Sequence, residues 1–77
     1  MKHRPKSVQH LFMPGETVAA AIKKYNFYDV SQEEMPLLLD QFKHCNPELQ
    51  IPRPGMVVLI PILARHQERA FGGTPQV

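Results

Sequence analysis

Eight prolines punctuate this 77-residue chain, and regular structure can continue through a proline only at a helix's first turn or along a strand's free edge. Pro14-Gly15 is a turn dipeptide, the proline setting φ and the glycine allowing φ > 0. Asn46-Pro47 ends whatever precedes it, because the residue before a proline is pushed out of the helical region. Pro47, Pro52 and Pro54 exclude a regular ladder strand over 47–55, and Pro61 stops the apolar run before it.

Four segments survive between these breaks. Val8 to Met13 (VQHLFM) is rich in strand-compatible residues. Val18, Ala21, Ile22 and Tyr25 recur at i, i+3, i+4, i+7, which predicts a helix over Thr17 to Tyr25 with Lys23 and Lys24 facing away. Thr17 is placed to cap it and Glu16 to favour its positive end. Asn26 to Val30 reads as a connection. Ser31 to Glu34 has capping-box form, with Val30 and Met35 as the hydrophobic staple. Pro36 predicts a distorted or 3₁₀ first turn, the main helix running from Pro36 to Cys45 with Leu38, Leu39, Phe42 and Cys45 inward. Met56 to Ile60 (MVVLI) reads as a buried strand. Two strands flanking two helices are expected to pair antiparallel with both helices on one face, giving an α+β fold in βααβ order.

A domain this short holds one modest core and normally needs a staple. Cys45 has no disulfide partner, and His3, His10, His44 and His66 show no metal-ligand spacing, so no metal and no cofactor is expected. An apolar share of 43% is too high for full disorder, and no apolar run approaches the roughly 18 residues of a membrane span. Val8 to Met13 is too interrupted for the core of a signal peptide, which predicts synthesis and folding in a cytoplasm. Catalysis is not expected: Glu33 and Glu34 diverge by about 100° on a helix, and His44 directly precedes Cys45. The net charge of +2 divides into +3 over residues 1–6 (Lys2, Arg4, Lys6), −2 over 7–61 and +1 over 62–77. A short basic arm without a recognition helix gives no expectation of nucleic-acid binding.

In order, Gly15-Glu16-Thr17-Val18, Ile22-Lys23-Lys24-Tyr25, Asn46-Pro47-Glu48-Leu49 and Pro54-Gly55-Met56-Val57-Val58-Leu59-Ile60-Pro61 resemble the LysM domain family. The resemblance covers 8–61 and implies the same βααβ order, although the stretch from Tyr25 to Asn46 is longer than is typical. Members commonly bind N-acetylglucosamine polymers, such as peptidoglycan or chitin, in a shallow groove. By position that groove would be Gly15, Glu16, Thr17 and Val18 with Asn46, Pro47, Glu48, Leu49, Gln50 and Ile51. The same residues also have a plain reading as the caps and ends of helices.

Small LysM-like proteins without a signal peptide resemble components of phage tails and contractile injection machines. That resemblance implies a non-enzymatic adaptor in a virion tail or baseplate, its partners being tail tube, sheath or baseplate wedge subunits. On this reading residues 1–7 and 62–77 are extended arms, too sparse in apolar residues to fold alone, although Ile62 to Ala70 could make a helical turn or two. The side chains expected at protein contacts are Lys2, Arg4 and Lys6 of the first arm, Phe27 and Tyr28 of the connection, and Ile62, Leu63, Arg65, Arg69 and Phe71 of the second.

Overall fold

The computed structural model describes residues 6–49 and 51–71. Strand β1 spans Ser7–Leu11, helix α1 Val18–Tyr25, helix α2 Glu34–Cys45, strand β2 Val57–Pro61 and helix α3 Ala64–Ala70. The two strands form one antiparallel sheet, with Ser7 opposite Pro61, Gln9 opposite Leu59 and Leu11 opposite Val57. The α+β class and the order of the first four elements are those the sequence predicts.

Side chains alternate across a strand, and here the even positions turn inward. His10 and Phe12 from one strand and Val58 and Ile60 from the other are buried, and Ala21, Ile22, Leu38 and Phe42 of the helices meet them. Ile22 and Leu38 are fully enclosed, each worth roughly 1.5–3 kcal/mol of burial. Thr17 caps α1 as expected, its hydroxyl accepting from the Ala20 N–H at 3.1 Å.

The second helix begins two residues before the expected start. Ser31 and Glu34 close the capping box, the Ser31 N–H donating to Glu34 Oε1 at 2.9 Å and the Glu34 N–H to Ser31 Oγ at 3.1 Å. Turn residues Gln32 and Glu33 precede the helix, which leaves Pro36 in its first turn, where a missing N–H costs little. Strand β2 also includes Pro61. Odd residues of β2 direct their backbone away from β1, so the missing N–H falls outside the ladder.

The larger correction concerns the second arm. It is not extended over its described part: Ala64–Ala70 is helical and folds back onto the body. Ile62 is 3% exposed, and its N–H donates to the Lys6 carbonyl at 2.9 Å, prolonging the sheet. The apolar Ile62 and Leu63 are thus part of this chain's own packing. Residues 1–5 of the first arm and the end of the second, residues 72–77, lie outside the described residues, and Ser7 is already part of β1.

Candidate functional site

The first half of the expected groove is built by the turn after β1. Gly15 takes φ +80°, a left-handed conformation that favours glycine, and this returns the chain toward α1. Glu16 then reaches back: its carboxylate lies 2.8 Å from His10 Nε2 through both oxygens and accepts from the Met13 N–H at 2.9 Å. The Met13 N–H, and next the His10 ring, hold the Glu16 carboxyl below its ordinary pKa. On its other side His10 Nδ1 lies 2.8 Å from the Tyr25 hydroxyl.

A hydroxyl, an imidazole and a carboxylate in series have the form of a proton relay. None of the three lines the described depressions, and together they tie β1, the first turn and α1 into one unit. Alternation along VQHLF could have announced a buried His10 in need of partners, but not which residues would supply them.

In the second half, Asn46 is the C-cap of α2, and its amide lies along the outer edge of β2. Nδ2 donates to the Leu59 carbonyl at 2.9 Å and the Phe42 carbonyl at 2.8 Å, while Oδ1 accepts from the Leu59 N–H at 2.9 Å. The side chain thus takes the place of a neighbouring strand. Asn26, the C-cap of α1, does the same one step along. It donates to the carbonyls of Ile22 at 2.8 Å and Pro61 at 3.1 Å, and accepts from the Leu63 N–H at 2.8 Å.

Every polar side chain so far described at the groove, Glu16, Thr17 and Asn46, is engaged inside the chain. A shallow depression of about 300 Å³ lies against Glu48, Leu49, Ile51, Arg53 and Met56, and one of about 260 Å³ against Cys45, Asn46, Pro47, Glu48 and Leu49. Neither is lined by Gly15, Glu16, Thr17 or Val18, so the described depressions do not join the two halves. Gln50 lies outside the described residues. Burial pushes the Cys45 thiol pKa up, which leaves it a poor nucleophile.

No family model, curated protein or solved structure matches the chain. What it presents must therefore be read from its own surface. Large apolar side chains are exposed at one end of the sheet: Leu11 (52%) opposite Val57 (59%) in register, with Met13 beyond Leu11 and Ile51 (74%) beside Met56.

The expected contact residues of the connection and second arm form a second cluster. Phe27 and Tyr28 both have positive φ, +59° and +58°, strained for aromatic residues. Phe27 is held by α3, its ring centroid 5.4 Å from that of His66 and 4.1 Å from the Arg69 guanidinium carbon, whereas Tyr28 stands 75% exposed. Arg65 pairs with Glu34 and with Asp29, donating to the Asp29 carbonyl at 2.9 Å. His66, 7% exposed, lies 3.0 Å from that same carbonyl, so its Nε2 carries the proton. Arg65 and Arg69 are therefore engaged within the chain. Phe71 remains 45% exposed, with Lys6 Nζ 6.0 Å from its ring. Lys2 and Arg4 are outside the described residues.

Among the described residues no group of three or more His, Cys, Asp or Glu could hold a metal ion, and no helix is long and apolar enough to cross a membrane.

Proposed function

We propose that the protein is a non-enzymatic structural adaptor of a phage tail baseplate or a related contractile injection machine, joining neighbouring subunits through its domain and its termini. The observation that carries this reading is the state of the groove. Glu16, Thr17 and Asn46 are held in internal hydrogen bonds, while Leu11, Met13, Ile51 and Val57 stand exposed. Sugar recognition needs polar groups free to bond to hydroxyls, whereas a protein contact needs an apolar centre with a polar rim. The phage-tail setting comes from the LysM-like order of motifs.

The competing reading, binding of peptidoglycan or chitin, is favoured by the depression along Glu48, Leu49, Ile51, Arg53 and Met56. Ile51→Glu separates the two, since Ile51 is 74% exposed and its change should leave the fold intact. The adaptor reading expects the tagged full chain to co-sediment with tail particles from the cells that make it, and Ile51→Glu to weaken that association. Pelleting with purified peptidoglycan that Ile51→Glu abolishes, without particle association, would overturn it.

A further inference from the structure

The two edges of the sheet are treated in opposite ways. In the antiparallel ladder the even residues of β1 bond to β2: the Phe12 N–H donates to the Met56 carbonyl at 2.8 Å, and the Lys6 carbonyl accepts from Ile62. The N–H and C=O groups of Ser7, Gln9 and Leu11 therefore point away from β2. Among the described residues nothing bonds to them. On the far side, the outward groups of Leu59 and Pro61 are covered by Asn46 and Asn26. Helices α1 and α2 make their main strand contacts with β2; the Cys45 thiol and the Tyr25 hydroxyl reach the side chains of Ser7 and His10, not the outward N–H and C=O groups of β1.

An open edge is normally blunted by lysine, proline, a bulge or a covering element. The segment Ser7-Val8-Gln9-His10-Leu11 carries no proline, lysine or acid, and it pairs with β2 without a bulge. We infer that the outer edge of β1 is a self-association site, at which a second copy of this chain adds its own β1 antiparallel about a two-fold axis through Gln9.

The register decides in favour of a second copy. With Gln9 opposite Gln9 and Ser7 opposite Leu11, all three outward residues of each strand become hydrogen-bonded pairs. Sliding by two residues leaves an outward residue of each copy without a partner from this set. No like charges meet along the five residues, and the two Gln9 amides face each other across the axis. An isologous contact of this kind closes at two copies. It also turns a two-stranded sheet, marginal in water, into four strands, for a small domain that its described residues provide with neither a disulfide nor a metal group. Two five-residue edges cover less than the roughly 1,200 Å² typical of stable complexes, so the dimer is reversible.

Charge exchange at the axis tests this with the full chain. Gln9 is exposed, so Gln9→Lys and Gln9→Glu should keep the wild-type far-UV circular dichroism. Sedimentation equilibrium from about 10 µM to about 1 mM should show a monomer–dimer equilibrium for the wild type. Each variant alone should dimerise about three- to tenfold more weakly, and an equimolar mixture of the two should recover dimer. Amide exchange at Ser7, Gln9 and Leu11 should slow as wild-type concentration rises. A wild type that stays monomeric at the highest concentration would overturn the assignment, as would a Gln9→Lys variant that dimerises like the wild type or a mixture that recovers nothing.

Discussion

Asn26 is the position at which one substitution should cost most for its size. The side chain is fully buried and makes three hydrogen bonds, to the Ile22 and Pro61 carbonyls and from the Leu63 N–H. In Asn26→Ala the Ile22 carbonyl keeps the backbone N–H of residue 26, at 3.1 Å, and is not orphaned. The Pro61 carbonyl and the Leu63 N–H lose their side-chain partner, at about 1–3 kcal/mol for each buried group left unpaired. The expected loss is therefore about 2–6 kcal/mol, against a total of roughly 4–12 kcal/mol for a domain of this length. With a urea slope near 1 kcal/mol/M, the unfolding midpoint should fall by about 2–6 M. Far-UV circular dichroism is the suitable probe, since the chain has no tryptophan. Asn26→Asp provides the control at nearly constant volume. It keeps an acceptor for Leu63 but turns a carboxylate toward two carbonyls, and should destabilise at neutral pH at least as much as alanine. A loss below about 0.5 kcal/mol for alanine, or a neutral aspartate, would refute the account of Asn26 as the link between α1, β2 and the start of α3.

Two further outcomes follow from the second cluster. The Arg65 guanidinium, with the Ser31 N–H, pulls the Glu34 carboxyl down to about 2, below its ordinary 4.5. A depressed carboxyl contributes stability at neutral pH that is lost as pH falls from about 4.5 toward about 2, so an NMR titration should place Glu34 near 2 and Arg65→Ala should move it upward. An unchanged midpoint in Arg65→Ala would remove Arg65 as the cause. Tyr28 is exposed at φ +58°, so Tyr28→Asn, a residue that tolerates the left-handed region, should raise thermal stability by about 0.5–1 kcal/mol. A lower melting temperature would mean that the ring makes stabilising contacts.

Elements were legible in this chain where punctuation and periodicity agreed. Pro14-Gly15, Asn46-Pro47 and Pro61 marked the ends of three of them, and Val18, Ala21, Ile22 and Tyr25 marked α1 with its buried face. Helix α3 was harder, because Ala64-Arg65-His66-Gln67-Glu68-Arg69-Ala70 has no apolar stripe. It is held instead by a buried His66 and by Arg65 and Arg69, whose partners Asp29, Glu34 and Phe27 lie more than 30 positions away. Local pattern carries no record of such pairs. The same holds at the candidate groove. The sequence marks Gly15, Thr17 and Asn46, and each caps or turns the chain, but the claim that Asn46 makes on β2 depends on tertiary contact alone.

Among the described residues, the two asparagines also explain why this sheet has one open side rather than two. Each ends a helix, and each uses its amide as a single unit of strand, giving the outer edge of β2 the partners a third strand would supply. A side-chain amide can do this because it presents one acceptor and two donors at the spacing of a peptide group. The covered edge is thereby fixed by the same contacts that anchor α1 and α2, and exposing it would mean undocking a helix end. No comparable element stands over β1 among the described residues, and its outward groups remain available without any rearrangement of the core. Attachment along β1 therefore requires no unfolding: among the described residues it is the sheet edge that can accept a strand while every buried group keeps its partner.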